Sequence, residues 1–249
     1  MWAFDAFCDE FSLGTRLFLK LDLSPSRESL LQFCEQVRRA FPDMVRFRRR
    51  EDGSIMLDEE ADTQAGRRYL RIDANALRLG QFSPPSRQAF SAFATMVLSH
   101  APYYLSLSDL DYDSLEVMFG FDLEYCGNHD ELVAETLLGD NPLHAALAGD
   151  GRRIIDCQPC VGAALDEECR TQAYLEIRGR TSMYELRSAE YEAQALSVYL
   201  TVRREFRDDA PRELAGVEEE LLELAQEVAT NRVVPHIVRR LREAIASRR

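Results

Sequence analysis

The chain has 249 residues, 46% of them hydrophobic and 29% charged, which supplies one large core or two small fused ones and is not the composition of a disordered polymer. Its net charge of −13 repels phosphate backbones, so general nucleic-acid binding is not expected. No apolar run approaches the ~20 residues of a membrane helix. The best stretch, Ala89–Leu98, is short and is followed by His100 and Pro102, and the start Met1-Trp2-Ala3-Phe4-Asp5 lacks the basic residues of a signal peptide. These features predict a cytoplasmic protein without a membrane segment, whose six cysteines are thiols or metal ligands and not a disulfide framework.

Thr15 to Leu23 alternates and predicts a strand. Ser24-Pro25 offers a helix start, after which Leu30, Cys34, Val37 and Phe41 share one helical face. Val45–Arg50 and Ser54–Leu57 read as a hairpin turning at Asp52-Gly53, and Arg68–Asp73 and Ala76–Gln81 as a second strand pair around Ala74-Asn75. Ser83-Pro84-Pro85 opens a second helix with Phe90, Phe93, Ala94 and Val97 on its buried face. The pattern then begins again. Leu115 to Tyr125 alternates strictly, and Asn128 with Glu131 forms a capping pattern for a helix carrying Leu132, Val133 and Leu137. Ile154–Leu165, Gln172–Arg180 and Ala195–Phe206 read as three further strands.

A long final helix closes the chain. It is acidic early, with eight acids against Arg212 between Asp208 and Glu227, and basic late, with six arginines against Glu243 from Arg232 to Arg249, which suits the helix dipole. Leu214, Val217, Leu221, Leu224 and Val228 follow heptad spacing. That stripe would either form a homodimer seam or pack on the protein's own sheet. Pro235 is expected to break or kink the helix.

The expected fold is therefore α+β, in two similar halves of strand, helix, antiparallel strands and helix, with each sheet covered by helices. The halves span 12–107 and 108–249, the second with its C-terminal helical region at 212–247. No Gly- or Pro-rich linker lies near Ser108, so residues 1–249 are read as a single domain. There is no residue-level repeat.

His129-Asp130-Glu131 followed by Cys157-Gln158-Pro159-Cys160 resembles the motif of zinc-dependent nucleoside and base deaminases, His-x-Glu and then Pro-Cys-x-x-Cys. The resemblance implies zinc held by His129, Cys157 and Cys160 and a proton shuttle at Glu131. Asp156 stands where that family has proline, and nothing before residue 115 resembles it. A structural zinc on Cys126, Cys157, Cys160 and Cys169 is a related reading, and packed thiols are the alternative to both. Asp109, Asp111 and Asp113 lack the glycine of a calcium loop and read as an acidic turn.

A second pattern is an arginine face. Strand alternation turns Val45, Phe47, Leu70 and Ile72 inward and leaves Arg46, Arg48, Arg50, Arg67, Tyr69 and Arg71 outward, with Arg78 between inward Leu77 and Leu79. Arginines so grouped grip carboxylates or phosphates, or meet an acidic partner. Local pairing with Asp58, Glu59 and Glu60 is the competing use. The chain has no Gly-x-Ser-x-Gly elbow, phosphate-binding loop or dinucleotide fingerprint. The sequence thus points to a non-enzymatic interaction or regulatory protein with no cofactor, which binds a protein partner, a second copy or an anionic ligand through Arg46, Arg48, Arg67 and Arg71. A zinc hydrolase of the deaminase type is the alternative. A third reading is a small anionic ligand held between the two halves.

Overall fold

The strictest alternation in the chain forms the axis of the structure. In the computed structural model, which describes residues 4, 6–60, 66–148, 151–207 and 213–248, it is strand β6 (Tyr112–Tyr125). Strand β1 (Glu10–Leu19) lies antiparallel beside it, with Leu13 opposite Phe119 and Leu17 opposite Leu115. Outward from β1 come β5 (Ala76–Phe82), β4 (Arg68–Ile72), β3 (Ile55–Asp58) and β2 (Arg46–Arg49). Outward from β6 come β9 (Gln194–Glu205), β8 (Thr171–Arg178) and β7 (Cys160–Ala164). Both halves thereby contribute to one nine-stranded antiparallel sheet, joined at β1 and β6. The fold is α+β, and each half opens on a strand and closes on a helix with antiparallel strands between, the second half adding short helices to the expected pattern.

Odd-numbered residues of β1 and β6 point to the helix-bearing face. Leu13, Leu17, Val117, Phe119 and Phe121 are buried there with Phe90, Phe93 and Val97 of α2 (Arg87–Leu105) and with Leu221, Leu222 and Ala225 of α6 (Leu214–Val228). Phe11 stands 5.6 Å from Phe119 and 5.3 Å from Phe121 between ring centroids, inside the range of favourable aromatic pairs. Helix α1 (Arg27–Ala40) buries Phe33, Cys34 and Val37. In the second half α3 (His129–Leu138) follows the long strand, capped by Asn128 as its sequence suggests.

The boundaries differ from expectation in ways that have physical causes. Strand β1 starts at Glu10 because Phe11 and Leu13 extend the inward alternation, and it ends at Leu19, after which Lys20 and Leu23 donate to the Asp111 and Ala74 carbonyls. The first two helices start at Ser26 and Ser86, not at Ser24 and Ser83. Each of those serines accepts from a backbone N–H three residues on, and the prolines precede the cap. The stretch 154–165 holds only the short strand β7. Helices α4 (Pro142–Leu147) and α5 (Met183–Ser188) are too short for a periodic signal, although Ser182 and Glu185 do form a capping box. Pro235 does not break the final helix. From Ala229 to Val238 the winding widens to a π-helical segment, which tolerates the missing N–H, and α7 (Arg239–Ala246) continues beyond it. Position 212, expected to open this helical region, lies outside the described residues, as do Asp208, Asp209 and Arg249 and all of Met1–Asp5 except Phe4. None of the described helices is long and apolar enough to cross a membrane.

The heptad stripe packs on the protein's own sheet. Leu214 and Leu221 are buried, and Val217, Leu224 and Val228 rest against the same core. Glu218 lies on this stripe and is wholly buried. Its Oε1 accepts from the Thr15 hydroxyl at 3.1 Å, while Oε2 has no partner among the described residues. Burial pushes its pKa up from 4.5 to about 8, with nearby Glu219 adding to the rise and Thr15 and Arg87 opposing it. Between these two values the folded state holds a proton that the unfolded state has lost, so this residue's contribution to stability falls as pH rises through that window and is level above it. Glu218→Gln removes the titration. Urea unfolding at pH 5 and pH 8 should show the variant gaining on the order of 1–3 kcal/mol over the parent at the higher pH relative to the lower. Equal pH dependence in the two proteins would contradict the assignment.

Candidate functional site

The even-numbered residues of β1 and β6 point to the opposite, open face of the sheet. The register lines them up in rows that cross the strands. In one row Arg48 faces Met56, Met56 faces Arg71, Arg71 faces Arg78, and Arg78 faces Arg16. Across the seam between the halves Arg16 faces Glu116, which faces Arg203, which faces Gln172. The next row runs from Tyr69 through Gly80, Gly14 and Met118 to Thr201 and Tyr174.

Glycines within these strands make room for rings on the neighbouring strand. A Cβ at Gly80 would meet the Tyr69 ring at 2.5 Å, one at Gly162 the Tyr174 ring at 2.8 Å, and one at Gly120 the Tyr199 ring at 3.2 Å. Each of these tyrosines sits directly opposite its glycine. Its ring therefore lies down over bare backbone and does not stand up from the sheet. Gly14 is different: a Cβ there would make only ordinary contacts, with the Tyr69 hydroxyl and the Met118 methyl both at 3.7 Å. Gly14 is thus the floor of an open trough of about 370 Å³ that straddles the seam. The trough reaches from Tyr69 on β4 to Cys160 on β7, with Arg16, Arg78, Glu116 and Arg203 along one side.

Most charges on this face already have partners. Asp73 bridges Arg71 at 2.6 Å and Arg78 at 2.5 Å, and Arg203 binds Glu116 with Nε at 2.7 Å. Glu176 pairs with Arg178. Within the trough, Arg16 is the exception. Its guanidinium lies over the Phe18 ring, 5.0 Å from the centroid, and makes no hydrogen bond or ion pair among the described residues. Arg203 lies over the same ring at 5.2 Å. Burial, and then the like charge of Arg78, pull Arg16 below its ordinary pKa, while Glu116 and Asp73 support it only from a distance. The Tyr69 hydroxyl likewise makes no hydrogen bond among the described residues, and burial raises its pKa.

The expected arginine face has the expected direction but different chemistry. Arg46, Arg48, Tyr69, Arg71 and Arg78 do share the open face. Arg48 binds Asp58 at 2.7 Å, Arg71 binds Asp73 and Asp52, and Arg67 lies 3.5 Å from Glu10 and over the Phe82 ring. Arg46 is exposed on the outermost strand and makes no ion pair among the described residues. Val45 and Phe47 were expected inside but remain 48% and 45% exposed. Strand β2 is the edge of the sheet, and a recess of about 480 Å³ separates Phe47 from α1. Asp111, in the acidic turn, accepts from the Ser108 N–H and hydroxyl, so it holds the turn before β6.

The residues of the deaminase-like motif do not come together. His129 is buried, its Nδ1 accepts from the Arg180 N–H at 3.1 Å, and its Nε2 donates to the Tyr125 carbonyl at 3.2 Å. Both ring nitrogens are therefore occupied, and burial holds its pKa below the ordinary value. Asp130 accepts from the Cys157 N–H at 2.8 Å, and Asn128 donates to the Ile154 carbonyl. The first turn of α3 thus clamps two loops, and Glu131 lies half-exposed beside that clamp. Cys157 packs against the core, whereas Cys160 lines the trough on the open face. Cys126 donates to the Tyr191 carbonyl, and Cys169 is exposed. Among the described residues no three His, Cys, Asp or Glu side chains are placed to hold a metal ion.

Sequence reasoning missed Arg16, Glu116, Arg203, Met118 and Tyr174, which belong to strands of both halves. The available signal was glycine inside strand patterns, at Gly80, Gly120 and Gly162, which mark close approaches, and at Gly14, which opens the floor. No family of proteins matches this sequence, and no curated protein matches it either.

An unpaired, partly buried cation beside a like charge is a net cost to the fold. Arg16→Met keeps the stem over Phe18 and removes the charge, so it should raise stability by about 0.5–1 kcal/mol in urea unfolding. Arg203→Met strands Glu116 and should lower it by about 1–3 kcal/mol. Destabilisation by Arg16→Met would give that residue a structural role instead.

Proposed function

We propose that this is a non-enzymatic binding protein that holds an anionic group of a ligand or partner in the trough on its open sheet face, at the seam between the halves. The observation that carries this reading is the position of Arg16. It stands in a row where Arg48, Arg71, Arg78 and Arg203 are each ion-paired, and of the arginines in that row it is the one without an ion pair among the described residues. A partly desolvated guanidinium with free donors is suited to a bidentate oxyanion. The glycine floor leaves space for the rest of the ligand. Among the residues lining the trough there is no hydrogen-bonded set of nucleophile, base and orienting group, so the reading assigns binding and not chemistry. We place the protein in the cytoplasm, where its free cysteines suit a reducing compartment.

The test is photo-crosslinking in the cells that make the protein, with a benzophenone side chain at Thr201 in the trough. A specific adduct, small or macromolecular, should form on the parent. It should disappear with Arg16→Glu and persist with Arg46→Glu, because Arg46 lies at the far edge. Adducts indifferent to Arg16→Glu would remove the trough from consideration.

A further inference from the structure

The trough's lining also restricts what kind of anion it takes. Its charged side chains are Arg16, Arg78, Arg203, Glu116 and Glu176, three cations and two anions, a net charge of +1. Four of them are engaged: Arg78 with Asp73, Arg203 with Glu116, and Glu176 with Arg178. One positive charge is left, on Arg16. A phosphate monoester or a pyrophosphate would bring a second negative charge into a recess that already contains two carboxylates, and like charges so confined repel strongly. A carboxylate brings one charge and matches the planar fork of Arg16.

The remaining lining is apolar or neutral. Gly14, Met118 and the backbone of Leu79 lie at the floor, and the rings of Tyr69 and Tyr174 lie flat on either side. The Tyr174 hydroxyl is already committed to Gln172 at 2.6 Å, but the Tyr69 hydroxyl is not committed, and it sits 3.7 Å from the Gly14 floor position. It offers one neutral donor beside Arg16. A volume of about 370 Å³ is at the small end of ligand pockets and admits a compact molecule or a single terminal residue of a peptide.

We infer that the trough is a site for a monocarboxylate on an apolar body, with the carboxylate on Arg16 and the Tyr69 hydroxyl and the body over Gly14 and Met118 between the two tyrosines. This rests on the anion-binding reading above and specifies its ligand class. The carboxylate could be that of a free organic acid or the C-terminus of a peptide chain, and the chemistry at Arg16 is the same for both.

The experiment uses the full chain with its methionine methyls labelled for NMR, the Met118 signal being assigned through Met118→Leu. Benzoate, indole-3-propionate, decanoate and N-acetylphenylalanine are titrated to about 10 mM, alongside N-acetylphenylalanine amide and phenyl phosphate. At least one acid should shift the Met118 methyl saturably. The amide should bind about tenfold or more weakly, as should the acid to Arg16→Gln, and Tyr69→Phe should lose severalfold. A hexapeptide ending in free phenylalanine, compared with its amidated form, separates the sources: preference for the peptide acid over N-acetylphenylalanine assigns a chain terminus, and the reverse assigns a free acid. If the amide binds as well as the acid, or no acid moves the Met118 methyl, the inference is overturned. If phenyl phosphate binds more tightly than every acid and still depends on Arg16, the carboxylate class falls while the anion site stands.

Discussion

The pairing of β1 with β6 is the constraint on which everything else in this molecule depends. It joins residues about a hundred positions apart over most of the length of both strands, from Glu10 opposite Asp122 to Phe18 opposite Ser114. Strand alternation has a period of two, so a slip of one residue would move Leu13, Leu17, Phe119 and Phe121 from the helix face to the open face. The burial of those side chains fixes the register. The same register sets which open-face residues meet, Arg16 with Glu116 and Gly14 with Met118. The hydrophobic core on one side therefore determines the polar geometry on the other.

That open face is neither a bare edge of the fold nor a uniform basic patch. Its arginines are interleaved with Asp58, Asp73 and Glu116, and its tyrosines lie over glycines. Paired surface charges of this kind contribute little individually to stability. Their effect here is to neutralise one another within the trough and leave Arg16, stacked on Phe18, as its one cation without an ion pair among the described residues. On the helix side, Glu218 is the counterpart of that cation: a carboxyl placed where water does not reach, tied to Thr15, the neighbour of Arg16 in sequence. The two unmatched groups flank the same strand from opposite faces.

Much of this architecture can be read from the sequence, because alternation and caps are local signals. The strand from Leu115 to Leu123, the hairpin turn at Asp52-Gly53, and the buried faces of α1 and α2 follow from spacing alone. The trough does not. Its residues come from positions between Gly14 and Arg203, and the sequence places each on a strand face without saying which strands are neighbours. The arginines of the first half drew attention because they cluster in sequence, yet the local acids that neutralise them lie in turns, at Asp52 and Asp73, and at the end of β3, at Asp58. His129 and the Cys157–Cys160 pair looked like a metal site because residue type and spacing carry no information about which backbone groups will claim the ring nitrogens. Pro235 was legible only in part: it marks where the helix is distorted, but a helix that widens locally tolerates a missing donor and continues beyond it.

The two half-sheets meet as two copies of a small protein would meet about a twofold axis, but they belong to one polypeptide. In a true pair of identical copies every substitution at the seam would occur twice, and the residues facing each other across it could not be chosen separately. Here Arg16 stands opposite Glu116, and among the described residues the first half carries an outer strand, β2, that the second half does not match. Covalent joining lets the seam be asymmetric. A molecule bound there would meet a different side chain from each half and would have a single orientation, with one such place per chain.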